Sequence, residues 1–246
     1  MATVAIGHFA VDFTAQLPTM MYPFLADRLG LSLGMIGVAS FVWAAASSTS
    51  QPFFGYLGDR IGRRWLAAGT IATMGGLVAF VPTVQSFGLL VLLLAIAGIA
   101  VGAFHPQGGA IANEAARGRK GASVATFFLG GHLGFTVAPI VAGAVLLASG
   151  LEWMPILALP ALVVAALVPI GLRGVGHAVQ RDSGNRQRPI STLRVAIAAV
   201  LVVVLLRGWA YASLNVFLPL FVSPERPDPV LAGSMLAVFL GFHAAG

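Results

Sequence analysis

Gly55-Tyr56-Leu57-Gly58-Asp59-Arg60-Ile61-Gly62-Arg63-Arg64 is a short charged stretch set between two long apolar runs, 33–57 and 65–84. A helix that crosses a bilayer needs about 20 apolar residues, and each run supplies them. The stretch therefore reads as the turn between two membrane spans. Gly55 is expected to let helices approach closely, and Gly62 to permit the tight turn that so short a connection needs. Asp59, at the end of one helix, is placed to pair with a basic side chain. It would also stabilise the partial positive charge of a neighbouring helix amino terminus.

The rest of the chain agrees with a lipid solvent. Of 246 residues, 58% are hydrophobic and 9% charged, against about 25% charged in an average soluble domain. Working outward from the quoted stretch, further spans are expected at 4–26, 88–112, 121–149, 153–172 and 195–222, with an eighth beginning near Val230. The fold class is all-α membrane protein. There is no cysteine, which removes disulfides and thiolate metal sites and leaves the redox compartment unread. No cofactor or metal set is expected. The first run lacks a basic start, carries His8 and Asp12 inside its apolar sequence and has no clear small-x-small cleavage site, so it reads as a retained helix rather than a signal peptide.

The net charge of +6 raises the question of nucleic acid, and its placement answers it. With the amino terminus in the cytoplasm, inside segments hold Arg60, Arg63 and Arg64, then Arg117, Arg119 and Lys120, then Arg173, Arg181, Arg186, Arg188 and Arg194. Those are 11 of the 14 basic residues; Arg28 and Arg226 fall outside and Arg207 within a span. This is the positive-inside pattern, divided among separate short loops, and it predicts a multi-pass protein of the plasma (inner) membrane with no nucleic-acid partner. Residues 173–194 are polar, with Ser183-Gly184-Asn185 and Pro189 opposing a helix, and read as a solvated linker. Seven spans and an apolar stretch ending at Gly246 without a basic anchor read as an incomplete chain.

Gly55 to Arg64 resembles the signature loop of the major facilitator superfamily, G-x-L-x-D-R-x-G-R-R, at every defining position and in the loop where that family carries it. The resemblance implies twelve spans in two six-helix halves with a central substrate site, and a signature loop that latches the two bundles in the outward-facing state. It divides the chain into a six-helix bundle at 1–172, a cytoplasmic linker at 173–194 and the start of a second bundle at 195–246, holding span seven and part of span eight.

Ionisable groups inside a span cost at least ~2.5 kcal/mol on insertion scales, so each is a functional candidate. His8, Asp12, Gln16 and Thr19 recur at spacings of four, four and three, which puts them on one helical face looking into the bundle or a wet cavity. A rise of about 1.5 Å per residue puts Asp12 and His105 each roughly 12 Å from the cytoplasmic ends of their spans. His132 and Arg207 come out nearer mid-membrane. A carboxyl group in a low-dielectric cavity holds its proton more tightly, which makes Asp12 the expected proton-coupling site with His8 one turn away as relay. The alternative is a buried pair that only keeps the helix in register. His105 precedes Pro106, which removes a helix hydrogen bond; it either caps the freed carbonyls or handles substrate or proton. Arg207 suits an anionic cargo or a carboxylate partner.

Span five sets Gly130, Gly134, Ala138 and Ala142 at every fourth position, with Pro139 and Gly143 beside them, a strip for close packing. It resembles the G-x3-G-P-x2-G-G motif of facilitator-type antiporters, with alanine at two glycine positions. The span-four arginine of many drug antiporters is replaced by Gly98, so coupling schemes that use it do not carry over. Gly7-His8 through Asp12, Gln51-Pro52, Phe104-His105-Pro106-Gln107, Gly118-Arg119-Lys120-Gly121 and Phe127 to Gly131 together resemble the fosmidomycin resistance protein branch. That resemblance implies proton-driven efflux of a small polar or anionic compound, with the bilayer, protons and the cargo as partners. Proton-linked metabolite uptake and a non-transporting fragment are the alternatives. No His-Glu-x-x-His or Gly-x-Ser-x-Gly pattern points to an enzyme.

Overall fold

The computed structural model describes residues 1–116, 118–174, 194–222 and 228–245. The described residues form α-helices and 3₁₀ turns with no strand: α1 (Ala2–Leu29), α2 (Leu33–Ile61), α3 (Arg63–Phe80), α4 (Phe87–Glu114), α5 (Lys120–Ser149), α6 (Leu159–Gly171), α7 (Arg194–Val222) and α8 (Pro229–Ala245). Most of the expected 173–194 linker lies outside the described residues, as do Arg117 and Arg226.

Local chemistry sets the helix ends. Gly30, at φ 63, ends α1 in the left-handed conformation that favours glycine. Ser32 caps α2 by accepting from the Met35 N–H, and Ser86 caps α4 by accepting from the Leu89 N–H. Asp228 Oδ1 accepts from the N–H groups of Val230 and Leu231 at the head of α8. The sixth span differs from expectation. It opens as a 3₁₀ helix, Leu151–Ala158, before becoming α6. Pro155 and Pro160 each lack the N–H that an α-helix would donate four residues back, and the tighter winding replaces the α ladder there.

Six helical segments among the described residues are long and apolar enough to cross a membrane; α1 is absent from that set and α8 is shorter. The reason for α1 is composition rather than length: His8, Asp12 and Gln16 interrupt it. It occupies the centre instead, with Leu17, Met21 and Leu25 fully buried.

Backbones close in where glycine removes a side chain. A Cβ on Gly130 would strike the main chain of Ala5, and one on Gly134 would sit 2.9 Å from the Phe13 nitrogen, so α5 lies directly on α1. Gly98 and Gly102 bring α4 against Trp43 and Ser47 of α2 in the same way. Gly143 meets Pro229, and Gly233 meets Pro139, seating α8 on α5. Ala138 and Ala142 are fully buried on the same helix. Such small-residue contacts carry helix association where lipid supplies no hydrophobic force. By contrast, no residue of the apolar window of α7 is buried.

Candidate functional site

The polar face of α1 is buried throughout: His8, Asp12, Gln16 and Thr19 are all under 7% exposed. His8 Nε2 lies 3.1 Å from Asp12 Oδ2, one helical turn on. Its other ring nitrogen, Nδ1, is 2.8 Å from the Phe127 carbonyl oxygen of α5, and the imidazole stacks on the Phe127 ring at 4.0 Å between centroids. From α4, His105 brings Nε2 to 3.7 Å from Asp12 Oδ1, and its Nδ1 is 2.8 Å from the Val101 carbonyl.

A carbonyl oxygen only accepts, so each Nδ1 carries a proton and donates it. Each ring then turns Nε2 toward the carboxylate, as a lone pair when the ring is neutral and as a second donor when it is an imidazolium. Asp12 Oδ1 accepts no hydrogen bond from the described residues, and a buried acceptor left in that state costs about 1–3 kcal/mol. With neutral rings, acceptors face acceptors, and a proton or a metal ion between them satisfies the set.

Gly131 makes the room. A Cβ there would collide with Asp12 Oδ2 and lie 2.6 Å from His8 Nε2. Its side-chain-free position is visible only in three dimensions; in sequence it is one more glycine of span five. His105 does not cap the carbonyl that Pro106 leaves free, which is that of Gly102. It bonds Val101, one residue earlier, because its ring hangs back along its own helix face.

One turn further along α1, about 6 Å from Asp12, Gln16 enters a cavity of about 450 Å³. It is lined by Thr19 and Tyr22 of α1, Ser40, Phe41 and Trp43 of α2, Leu94 of α4, Phe135 of α5, and Trp209, Tyr211, Asn215 and Phe217 of α7. Gln16 Nε2 donates to Asn215 Oδ1 at 2.9 Å, and Ser40 Oγ donates to the Tyr22 hydroxyl at 3.0 Å. The Trp43 indole N–H has no partner among the described residues. Among the described residues, no charged side chain lines the cavity.

Of the polar groups expected to face inward, His8, Asp12 and His105 meet, while Gln16 and Thr19 line the cavity. His132 is half-buried on α5 and outside the lining, and Arg207 is exposed on α7. Arg207 shares a helical face with Tyr211 and Asn215, four and eight residues on, but lies nearer the start of α7 than the lining residues, which begin at Trp209. The aromatic lining from α2 was not anticipated. Its residues look like ordinary apolar membrane sequence, and only their shared wall distinguishes them.

The signature stretch forms the α2–α3 corner, with Gly62 at φ 96. Arg63 Nη2 donates to Asp59 Oδ1 at 2.6 Å and its Nη1 lies 3.9 Å from Glu114 Oε2. The corner therefore sits beside the end of α4, on the same side as the basic Arg119-Lys120 turn. Arg60 lies over the Tyr56 ring at 4.4 Å and Arg64 over Trp65 at 5.4 Å. The tight approach falls at Gly58, whose Cβ would overlap Gln107, rather than at Gly55, where a Cβ would make ordinary contact with Pro106 at 3.7 Å. Gln107 Nε2 in turn donates to the Phe54 carbonyl at 2.6 Å.

A family model described as Major Facilitator Superfamily matches residues 4–246. The fosmidomycin resistance protein of Escherichia coli (strain K12) is 30% identical over 172 residues, 68% of this chain and 42% of that protein. An uncharacterized MFS-type transporter, YfnC of Bacillus subtilis (strain 168), is 28% identical over 60% of this chain and 36% of its own length. The chain thus spans about two fifths of the curated relatives it matches. Among solved structures, a D-xylose-proton symporter superposes with a TM-score of 0.65 at 14% identity, over 99% of this chain and 66% of that one; this likeness concerns the fold. With its multiple apolar spans, its signature corner and the match along its length, the chain is a multi-pass membrane protein that belongs to the Major Facilitator Superfamily.

Proposed function

We propose that the protein carries a small molecule across the inner membrane by alternating access coupled to protons, and that the physiological direction is efflux. The observation that carries this reading is the buried His8–Asp12–His105 cluster, one turn of α1 from an uncharged, aromatic-lined cavity. A proton shared by Asp12 Oδ2 and His8 Nε2 lets the closer pair bond, with His8 as relay; its loss leaves a carboxylate against neutral acceptors. The two states therefore bias the packing of α1 against α4 and α5 differently, as a coupling site must. The names of the fosmidomycin resistance protein and of multidrug resistance protein MdtG, 27% identical over 144 residues, favour export. The lining fits a polar, uncharged cargo with a ring to stack better than the anion that Arg207 suggested from sequence, since that side chain lies outside the cavity.

In this reading residues 1–172 are one six-helix bundle, 173–194 the cytoplasmic linker and 195–246 the opening of a second bundle, with the amino terminus in the cytoplasm. The Asp59–Arg63 corner is the latch between bundles. The uncharged lining also suits proton-linked uptake of a neutral metabolite, which uses the same parts with the gradient reversed. The experiment is substrate-driven proton flux in vesicles holding the full-length protein. Asp12→Asn is expected to abolish the flux while cargo binding persists; unchanged flux and pH dependence in that variant would defeat the coupling assignment. Movement of cargo and protons in opposite directions marks exchange, and the same direction marks uptake.

A further inference from the structure

We propose that His8 Nε2, His105 Nε2 and an Asp12 carboxylate oxygen form a binding site for a divalent transition-metal ion of the zinc type. The three ligand atoms lie within 4.8 Å of one another. Zinc takes nitrogen and carboxylate ligands at about 2.0–2.2 Å, which sets tetrahedral ligand atoms about 3.3–3.4 Å apart. His8 Nε2 lies 3.1 Å from Asp12 Oδ2 and His105 Nε2 lies 3.7 Å from the other oxygen, Oδ1, so the two imidazoles flank one carboxylate at close to that spacing.

The surroundings of the cluster are those of a metal site as well. Ligating histidines commonly donate their second ring N–H to a carbonyl, which fixes the tautomer and aims the lone pair. Both imidazoles do this, through Phe127 and Val101. The independent observation is Asp12 Oδ1, which is buried, without a hydrogen-bond partner among the described residues and turned toward the histidines. Gly131 keeps the centre free of a side chain. Two imidazoles and one carboxylate favour zinc, nickel, cobalt or iron over magnesium and calcium, which prefer all-oxygen sets. Three ligands leave a fourth position for water, and His105, 30% exposed at its side chain, gives the approach. Occupancy would fasten α1 to α4 across the pair of helices that the coupling reading requires to move.

The test uses the full-length, untagged protein in detergent, stripped with chelator and titrated with Co²⁺ and Zn²⁺. The expected result is one equivalent of Co²⁺ with the visible absorption of a low-coordinate nitrogen–oxygen site, displaced by Zn²⁺ and not by Mg²⁺. Asp12→Ala and His105→Ala should each weaken binding at least ~10-fold, while His132→Ala leaves it unchanged. No saturable Co²⁺ band in the unmodified protein overturns the proposal, and so does a site that survives both substitutions, which would be a surface histidine. The proposal stands apart from the transport reading. Co²⁺ binding together with normal proton flux in Asp12→Asn upholds the metal site and defeats the coupling role; lost flux without Co²⁺ binding does the reverse.

Discussion

Gly131→Ala is the most informative single substitution, because its added methyl group meets side chains whereas its neighbours' would meet backbone. The new Cβ lies 2.6 Å from His8 Nε2, so the imidazole must retreat by about 0.8 Å to reach ordinary contact at 3.4 Å. His8 has little room to give, being stacked on Phe127 and bonded to its carbonyl. The retreat stretches the 3.1 Å contact with Asp12 beyond bonding range and weakens the Phe127 bond. Each buried polar group left unsatisfied costs about 1–3 kcal/mol. The loss falls on the cluster, so coupling should drop about 10-fold or more, at 1.36 kcal/mol per decade of rate. Gly134→Ala is the control. Its Cβ would sit 2.9 Å from the Phe13 backbone nitrogen, which cannot move without separating α1 from α5, at a typical overpacking cost of 1–3 kcal/mol. Thermal unfolding in detergent and vesicle proton flux, measured on both variants, separate the effects. Both variants should lower the unfolding temperature by comparable amounts, since the costs are alike, but Gly131→Ala should lose flux and Gly134→Ala should keep it. Wild-type coupling in Gly131→Ala would refute the reasoning.

Trp43→Phe keeps the cavity wall and removes the unpartnered indole N–H; KM for cargo should rise about 2–10-fold, the worth of one hydrogen bond, with kcat unchanged. Gln16→Ala breaks the link to Asn215 and should raise KM more than Arg207→Gln does, since only Gln16 lines the cavity; equal effects in transport assays would restore Arg207 as a cargo contact. Asp59→Asn removes an exposed ion pair and should cost stability no more than ~1 kcal/mol, yet slow the transport cycle if the corner is a latch; a normal cycle in stopped-flow measurements would reduce it to a topology anchor.

Much of the fold was legible because membrane spans are governed by one-dimensional rules. Lipid demands long uninterrupted apolar runs with every backbone group bonded internally, and the runs from Leu33 to Val222 match the helices to within a few residues. The glycine strip of α5 was readable as a packing face for the same reason, although its partners, α1 for Gly130 and Gly134 and α8 for Gly143, were not. Where the reading fell short, as in the 3₁₀ opening at Leu151, two prolines five residues apart changed the winding inside an otherwise ordinary apolar run.

The candidate site divides along the same line. His8 and Asp12 share one helix, and a spacing of four residues determines by itself that they can touch. His105 belongs to another helix, and its meeting with Asp12 depends on how closely α4 and α5 approach α1. Gly131 matters for the His8–Asp12 pair, because a missing side chain in the sequence becomes physical volume only when Asp12 and His8 fill it. The cavity wall and the partnerless Trp43 N–H are likewise settled by how the helices turn toward one another, and the exclusion of Arg207 from the lining by its depth along α7. Sequence alone determined that the chain lives in lipid and carries a buried carboxylate it must satisfy; tertiary packing decided what faces that carboxylate, because lone pairs and collisions are set by distance between helices rather than by order along one.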